Sequence, residues 1–368
     1  MREKAFFKRS RRTVALALAG GLAAAGGLTA CGSSSSSSGS GSSGGVPTVT
    51  MMIGGIDKQI YLPYELADRL GYYKKYGVKM KLSTESAGGV GAEDAMASGQ
   101  VDMAGAWYIH TIDFQLKHKD VISVAQMSGA PGERVLCSKK SGVTSAAGFA
   151  GKSIGVTDLG SGTDDLILML AAHNHLSTSQ FHRVAVGDGS TLLAALQKGR
   201  VDCAITTQPT VNGVEKAGAG TSVIDLATTA GVNQWMGGAW PSAAVLTLQS
   251  WATSHEATVQ KVVNALVATM HWINTHSAAD IANALPATYV SNGLTTKADY
   301  IATLAQDKAQ FLPDGIMPAN GPATVLETAK IDGTVKGQTV DISKTYTNKY
   351  ALAANKAEGF PVSSGSGG

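Results

Sequence analysis

A chain of 368 residues, 44% hydrophobic and 15% charged, is long enough to bury the core of one large two-lobed body or of two ordinary domains. Its formal net charge is only +3, and most of that excess lies within the first twelve residues. The remainder is close to neutral. This excludes a nucleic-acid binder, because such a protein needs a basic face that neutralises many phosphates.

Residues 1–31 have the pattern of a lipoprotein signal peptide. A basic start precedes an apolar run at residues 14–28, which is too short and too rich in glycine for a comfortable membrane span. The run ends in L-T-A-C at residues 28–31, which resembles the bacterial lipobox, whose cysteine is diacylated and becomes the mature N-terminus. We therefore expect Cys31 to carry the lipid. The S-R-R triplet at residues 10–12 resembles a twin-arginine signal but does not decide the export route.

Residues 32–47 form a predicted linker. They are almost entirely serine and glycine, and such a segment cannot bury apolar surface and behaves as a flexible coil. Because the linker directly follows Cys31, we interpret it as a tether between the lipid and a globular body that begins near Thr48.

The cysteine count bears on disulfide bonding. Three cysteines are present, Cys31, Cys137 and Cys203, so lipidation of the first leaves an even pair. Whether that pair is bonded depends on the distance between its Cα atoms. We expect two separate buried thiols, because both residues lie within apolar runs typical of strands.

An internal repeat organises the body. The pattern A-x-x-x-G-x-V-D-x-A occurs at residues 95–104 and again at 195–204, and each copy predicts a helix, a glycine cap and a short strand. The upstream elements correspond as well, with predicted strands at 48–53 and 153–156 that each precede a glycine-containing turn and a helix. Each copy is thus a β-α-β-α-β unit, which predicts a parallel sheet with helices on both faces. Two units predict two similar lobes rather than one continuous sheet.

The pattern becomes helical after Pro241. Thr253 and Glu256 can form a capping box before an apolar stripe that continues to Ile273. Further helices are predicted at 299–311 and 321–330. The Ser/Gly-rich end, residues 359–368, is predicted to be a disordered tail.

The ordered set of motifs resembles the bacterial solute-binding proteins of the nitrate, sulfonate, taurine and thiamine-pyrimidine-precursor group, which serve ABC transporters. The motifs that carry the resemblance are L-G-Y-Y-K-K-Y-G-V at 70–78, A-S-G-Q-V-D at 97–102, F-A-G-K-S-I-G-V at 149–156 and K-G-R-V-D at 198–202. Leu62-Pro63 precedes them and Pro209 follows, so the resemblance covers roughly residues 48–311.

The resemblance implies an α/β fold of the type II periplasmic-binding-protein kind, with two doubly wound lobes joined by a two-strand hinge. The first lobe would be residues 48–136 plus 243–358, and the second would be residues 137–242. Crossing strands near 134–138 and 243–248 would form the hinge. The resemblance also implies a monomeric, non-enzymatic substrate-binding component that is lipid-anchored at the extracytoplasmic face of the cell membrane and delivers a small solute to an ABC permease.

Four loops are the predicted binding site, because ligands of open parallel sheets bind outside the carboxyl ends of the strands. Two loops belong to each lobe, and for each candidate side chain or glycine an ordinary packing or turn role remains an alternative. Trp107, Tyr108 and Trp240 would offer aromatic walls to a flat ligand. The candidate substrate-binding residues are Gly55, Ile56, Asp57, Trp107, Tyr108, Ser161, Gly162, Thr163, Gln208 and Trp240.

The charge of the ligand stays open. Ser161 and Thr163 precede a helix whose free N–H groups favour an anion, although Thr163 could simply be an N-cap. Asp164 and Asp165 in the same turn would repel a nitrate or sulfonate, which leaves room for a zwitterion, an amine or a neutral ring.

We expect no cofactor, no metal and no catalysis. No Cys/His cluster has zinc spacing, and Ser161 lacks an identifiable His/Asp pair. Two alternatives are an enzyme of thiamine-pyrimidine synthesis on the same fold and an extracytoplasmic ligand sensor. The leader argues against the enzyme, whereas the sequence does not separate sensing from import.

Overall fold

Two five-stranded mixed sheets form the framework of the protein. The structure is a computed structural model that describes residues 45–85 and 89–363. The signal-peptide and lipidation predictions at residues 1–31 and most of the predicted linker lie outside these ranges. The strands are β1 (Thr48–Ile53), β2 (Lys79–Thr84), β3 (Met103–Trp107), β4 (Val121–Gln126), β5 (Glu133–Cys137), β6 (Ser153–Val156), β7 (His182–Ala185), β8 (Cys203–Thr207), β9 (Thr221–Asp225) and β10 (Ala243–Leu248).

The two sheets share one topology. Sheet 1 has the order β2-β1-β3-β10-β4, and sheet 2 has the order β7-β6-β8-β5-β9. In each sheet the first three strands are parallel and the fourth runs antiparallel to both of its neighbours. The predicted α/β class and the two similar lobes are confirmed. We call sheet 1 with its flanking helices the first lobe and sheet 2 with its flanking helices the second lobe.

Helices connect and cover the strands, as expected for parallel crossovers. The helices of the described ranges are α1 (Leu62–Arg69), α2 (Tyr72–Lys75), α3 (Val90–Ala97), α4 (Ile109–Leu116), α5 (Gly162–His173), α6 (Gly189–Gln197), α7 (Thr210–Lys216), α8 (Thr229–Met236), α9 (Gln249–Ser254), α10 (Glu256–Thr275), α11 (Ala278–Ala284), α12 (Ala287–Val290), α13 (Lys297–Asp307), α14 (Gly321–Ile331) and α15 (Lys349–Glu358).

The repeated V-D pair has the same structural role in both lobes. Asp102 accepts a hydrogen bond from the backbone N–H of Thr50 at 2.8 Å, and Asp202 accepts one from the backbone N–H of Ser153 at 2.9 Å. Each aspartate therefore joins the segment before one strand to the start of its parallel neighbour. The glycine three residues earlier in each copy has a positive φ, as expected where a helix ends in a left-handed residue.

The chain passes between the sheets twice, at residues 127–132 and 226–242. The two passages are hydrogen-bonded side by side, since the backbone N–H of Trp240 donates to the oxygen of Gly129 at 3.0 Å. The segments predicted as crossing strands, 134–138 and 243–248, coincide largely with β5 and β10 and directly follow these passages. The numbered lobe limits stay a prediction, although β5 begins at Glu133, before the limit placed after residue 136.

The two remaining cysteines form a disulfide, so the prediction of separate thiols is wrong. Cys137 ends β5 and lies directly opposite Cys203 at the start of β8, with 4.0 Å between the Cα atoms. Antiparallel pairing of residues so distant in the chain brings the two sulfurs together. Each local apolar run indicated a strand but carried no information about its partner.

Two further predictions need correction. Helix α10 begins after His255 without a side-chain cap, and the hydroxyl of Thr253 donates to the oxygen of Gln249 in the preceding helix α9, so the capping box does not form. Residues 359–363 of the predicted disordered tail contact the body. Phe360 stacks on His271 with 3.9 Å between ring centroids. Within the described ranges, no helix is long and apolar enough to span a membrane.

Candidate functional site

A narrow pocket lies between the two lobes, at the carboxyl ends of β1, β3, β6 and β8. Its free volume is about 10 Å³, room for about one water molecule, and it is lined from both lobes. Strand-to-helix loops supply most of the wall, as expected for a site outside the carboxyl ends of parallel strands. We call it the interlobe pocket, and its lining residues are Lys58, Ile60, Tyr61, Trp107, Glu133, Thr157, Gly162, Thr163, Asp188, Thr206 and Thr207.

Three of the predicted binding residues line this pocket: Trp107, Gly162 and Thr163. Trp107 ends β3 in the first lobe, and Gly162 begins α5 in the second. A Cβ atom on Gly162 would lie 2.0 Å from Cε3 of Trp107, so only glycine permits this approach. The Trp107–Gly162 contact is therefore a point where the lobes meet.

Hydroxyl groups form the wall on the second lobe. Thr163 accepts the backbone N–H of Thr157 at 3.0 Å, and the two hydroxyl oxygens are 2.6 Å apart. The Ser161 hydroxyl lies 2.8 Å from that of Thr163 and donates to the oxygen of Asp158 at 2.7 Å. Ser161 is fully buried and supports Thr163 without lining the pocket.

A charged pair joins the lobes beside the pocket. Lys58 Nζ lies 3.2 Å from Asp188 Oδ2 and donates to the oxygen of Gly54 at 3.0 Å. Asp188 Oδ1 accepts the hydroxyls of Thr206 and Thr210 at 2.8 Å each. Burial acts to raise the pKa of Asp188, but Lys58 and the two hydroxyls outweigh it and hold that pKa below its ordinary value. The aspartate is therefore ionised and fully engaged.

Glu133 is the unsatisfied group of the interlobe pocket. It is 3% exposed, and its Oε2 has no hydrogen-bond partner among the described residues. Burial raises the pKa of Glu133 to about 8, against the opposing effect of Lys58 and with the support of Asp188. A buried acceptor without a partner is costly, so this carboxyl group favours a ligand that brings a donor.

The loop after β1 borders a second, wider space. Gly55 and Asp57 line an outer groove that also reaches Lys58 and Asp188, so this ion pair separates the groove from the interlobe pocket. Ile56 is buried in the same loop, and its N–H donates to the Thr84 hydroxyl at 3.0 Å; it lines neither space.

Tyr108, Gln208 and Trp240 do not line the interlobe pocket. The Tyr108 hydroxyl lies 2.5 Å from that of Thr345, within the first lobe. The backbone oxygen of Gln208 accepts the N–H of Gln59 at 3.0 Å, which is a further link between the lobes.

Trp240 supports the pocket from behind. Its indole N–H donates to the Thr328 hydroxyl at 2.9 Å, and its ring packs edge-on against Trp107 with 5.5 Å between centroids. An aromatic pair of this geometry stabilises the orientation of both rings, so Trp240 holds the ring of Trp107 in place.

Sequence reasoning missed the charged residues of the pocket. Asp188 follows β7 and Lys58 follows the turn after β1, so the strand-end rule could have found both. Glu133 could not be found in this way, because it lies on β5, whose antiparallel place in sheet 2 depends on long-range pairing.

A second polar cluster lies outside the interlobe pocket. His110, Asp113 and Asp165 each place one potential metal-ligating atom within 4.8 Å of the others. Sequence reasoning considered only histidine and cysteine spacing and found no such group, because Asp165 is on a different lobe from the other two.

Comparisons with known proteins agree with this geometry. The family model described as NMT1/THI5 like matches residues 60–279. A search of curated proteins gave no match. Among solved structures, a protein from Bordetella bronchiseptica RB50 is 28% identical with a TM-score of 0.77, over 85% of this chain and 98% of that chain.

Two more distant structures show the fold. The alkanesulfonate-binding protein SsuA from Xanthomonas axonopodis pv. citri, bound to MOPS, is 19% identical with a TM-score of 0.63, over 83% of this chain and 97% of that one. The periplasmic nitrate-binding protein NrtA from Synechocystis PCC 6803 is 12% identical with a TM-score of 0.67, over 86% and 91%. The chain thus has the fold of periplasmic binding proteins.

Proposed function

The chain belongs to the NMT1/THI5-like family, and from that premise we propose that it is the extracytoplasmic substrate-binding component of an ABC importer. The observation that carries the proposal is the interlobe pocket, whose wall is assembled from both α/β lobes. Its structural neighbours SsuA and NrtA are solute-binding proteins rather than enzymes. The protein would accordingly capture a small organic solute and present the closed form to a membrane permease.

Contacts across the lobes support a closing mechanism. Lys58 pairs with Asp188, Trp107 packs on Gly162, and a backbone hydrogen bond joins the loops at residues 59 and 208. A solute enclosed between the lobes would add contacts that exist only in the closed form. A ligand shifts an equilibrium only by its differential affinity for the two forms, so these enclosed contacts would drive closure.

The charges of the interlobe pocket favour a ligand that donates hydrogen bonds. Two carboxyl groups, Glu133 and Asp188, face one ammonium group, Lys58, which Asp188 already engages. With its pKa raised to about 8, Glu133 is largely protonated at pH 7, and the charges of Lys58 and Asp188 cancel. A nitrate ion would therefore find no net positive charge, whereas an amine or ring N–H would supply the partner that Glu133 Oε2 lacks. Trp107 and Tyr61 offer ring surface to the apolar part. We propose a small nitrogenous solute, pyrimidine-like, aromatic or taurine-like, rather than a bare oxyanion.

The location follows the same reasoning. We propose that the mature protein is a monomer anchored at the extracytoplasmic face of the cell membrane through lipid on Cys31, with the Ser/Gly segment at residues 32–47 as tether. The numbered lobe limits, 48–136 plus 243–358 and 137–242, belong to the same proposal.

A thermal-shift screen tests the ligand class. A ligand that binds the native state raises stability by mass action, so nitrogenous solutes should raise the melting temperature whereas nitrate should not. The panel should contain nitrate, an alkanesulfonate, taurine, an aminopyrimidine and an aromatic amine. Stabilisation by nitrate alone would contradict the proposed ligand chemistry.

A variant pair tests the location of the pocket with the best ligand of that screen. Trp107→Ala should weaken binding at least tenfold, because it removes ring surface from the pocket wall; a tenfold step is about 1.4 kcal/mol. Trp251→Ala is the matched control, since Trp251 lies on α9, stacks on His255 and does not line the pocket. If Trp107→Ala, Thr163→Ala and Glu133→Gln all leave the affinity within twofold, the pocket is not the binding site.

A further inference from the structure

Two helices from different lobes bring a histidine and two aspartates together. His110 and Asp113 are three residues apart on α4, which follows β3 of the first lobe, so they share one helix face. Asp165 lies in the first turn of α5, which follows β6 of the second lobe. One donor atom from each residue lies within 4.8 Å of the other two. We call these three residues the His110 cluster.

Two carboxyl groups flank the imidazole of His110, one at each ring nitrogen. Its Nε2 lies 3.3 Å from Glu93 Oε1, and its Nδ1 lies 3.1 Å from Asp113 Oδ2. Nδ1 is hydrogen-bonded to Asp113, whereas Glu93 Oε1 has no hydrogen-bond partner among the described residues. A metal ion held by Nδ1 and Asp113 would replace the proton between them, and Nε2 would then carry the N–H that Glu93 Oε1 lacks.

Asp165 points to the metal ion rather than to a proton alone. It is 7% exposed, and its Oδ2 has no hydrogen-bond partner among the described residues. A proton shared between His110 and Asp113 does nothing for this third carboxylate. Asp332 adds another buried carboxylate oxygen without a partner in the described ranges, on the segment directly after α14, which packs against both α4 and α5. A buried carboxyl oxygen without a partner is costly in a protein interior.

We propose that His110, Asp113 and Asp165 bind one divalent transition-metal ion, with Zn²⁺ as the best match, at the junction of the two lobes. One imidazole nitrogen and two carboxylate oxygens are ligands that zinc accepts, with water completing four-coordination. Bonds of about 2.0–2.2 Å to the ion span most of the 4.8 Å between donor atoms, so small side-chain rotations complete the site. Glu93 would orient the imidazole through Nε2–H, the usual outer partner of a metal-bound histidine.

The ion would link the lobes, because two of its ligands come from α4 and the third from α5. It would therefore favour the form in which the lobes are together. The metal site does not depend on the proposed solute, since zinc binding to the solute-free chain is measured by itself.

Zinc titration of the full chain, free of affinity tags and stripped with a chelator, tests the proposal. Calorimetry and elemental analysis after equilibrium dialysis should give one Zn²⁺ per chain. The melting temperature should rise with zinc concentration. Cobalt in place of zinc should give visible d–d absorption, which reports a low-symmetry protein site.

Conservative variants assign the ligands. His110→Gln, Asp113→Asn and Asp165→Asn should each weaken zinc binding at least tenfold. Glu93→Leu, which has no acceptor for the imidazole N–H, should weaken it about tenfold to a hundredfold. Asp165→Asn replaces a buried carboxyl group, one oxygen of which has no partner among the described residues, by an amide of the same shape, so the metal-free variant should melt no lower than the parent chain. The controls Asp68→Asn on α1 and His173→Gln on α5 change exposed residues and should bind zinc as the parent does.

Three results would overturn the proposal. Absence of zinc binding and of any zinc-dependent rise in melting temperature would mean that the cluster holds a proton only. One zinc per chain that persists in Asp165→Asn would place the ion elsewhere. The Asp165→Asn variant is expected to fold. If its cobalt spectrum is the same as that of the parent chain, Asp165 is not a ligand.

Discussion

At the scale of single residues, two features shape the junction of the lobes. One is the absence of a side chain at Gly162, and the other is the carboxyl oxygen of Glu133 that has no partner among the described residues. Gly162 lets the ring of Trp107 pack directly on the backbone of the second lobe. Glu133 places a buried carboxyl group in the interlobe pocket without a partner among the described residues. Shape and charge at the pocket can therefore be tested separately, each by a single substitution.

Gly162→Ala should hinder closure. The new Cβ would lie 2.0 Å from Cε3 and 2.6 Å from Cζ3 of Trp107, so either the ring or the lobe must move. Binding of the best ligand of the screen should weaken at least tenfold by calorimetry. Gly238→Ala is the control, since its Cβ would meet only the Thr324 hydroxyl at 3.6 Å. Equal affinities of the two variants would show that the lobes do not meet at Gly162 when ligand binds.

Glu133→Gln should change the pH dependence of stability. The pKa of Glu133 in the folded chain, about 8, lies above its ordinary value, so the folded state holds a proton that the unfolded state releases. Stability from this group is therefore complete at low pH and is lost as the pH rises from about 4.5 to 8. A tenfold change in an acid constant is about 1.4 kcal/mol, so the variant should gain on the order of 2–4 kcal/mol over the parent by pH 8.

Denaturant unfolding of the parent chain and of Glu133→Gln between pH 5 and pH 8 measures the difference in their free energies of unfolding. Groups that titrate identically in the two proteins do not contribute to that difference. A constant difference across that range would mean that Glu133 is ionised throughout in the folded chain.

At the scale of elements, the two copies of the repeat join a helix to the sheet through the same contacts. In each lobe a helix ends at a glycine, and the following aspartate accepts an N–H of the central parallel strand, that of Thr50 in β1 or of Ser153 in β6. The copies differ at the junction between the third and fourth strands of each sheet. Only sheet 2 carries a covalent link there, between Cys137 on β5 and Cys203 on β8.

Removing the disulfide should destabilise the second lobe. The bond closes a loop of 66 residues, and loop-closure entropy then predicts a contribution of about 4 kcal/mol. The Cys137→Ser/Cys203→Ser double variant should therefore unfold at lower denaturant concentration than the parent. A reductant should shift the parent to match the variant and leave the variant unchanged. Two reactive thiols from these positions in the denatured, unreduced parent would disprove the bond.

At the scale of the whole molecule, the proposed function depends on two connections: the contacts between the lobes and the attachment of the body to the membrane. The lobes are held together by contacts at the interlobe pocket, and the body is proposed to be held to the membrane by its N-terminal cysteine. An exported location also agrees with the disulfide, because such bonds persist in oxidising compartments.

Cys31→Ala should release the protein from membranes or block its processing. Each buried methylene contributes about 0.8 kcal/mol, so two or more acyl chains anchor a protein stably whereas one does not. Membrane fractionation and the mass of the mature N-terminus measure the effect. Cys31→Ala protein that is processed normally and stays in the membrane fraction would exclude lipidation at this residue.

The features of the fold and site that could be predicted from the sequence rest on short-range residue patterns. The strands at 48–53 and 153–156 were predicted with their observed limits, because an apolar β-prone run followed by a glycine turn is a short-range pattern. The repeat at 95–104 and 195–204 predicted two similar lobes for the same reason. The strand-end rule then placed Trp107, Gly162 and Thr163 beside the interlobe pocket, since topology alone specifies which loops meet.

Only the tertiary structure decided the pairings between distant residues. Cys137 meets Cys203, Glu133 enters the interlobe pocket, and Asp165 reaches His110, each through antiparallel strand pairing or the meeting of two lobes. Trp240 resembled a binding residue in the sequence, yet it packs behind Trp107 with its N–H satisfied by Thr328. A sequence records which side chains are apolar or charged, but the partner of a buried group is set by long-range packing, which neither periodicity nor spacing encodes.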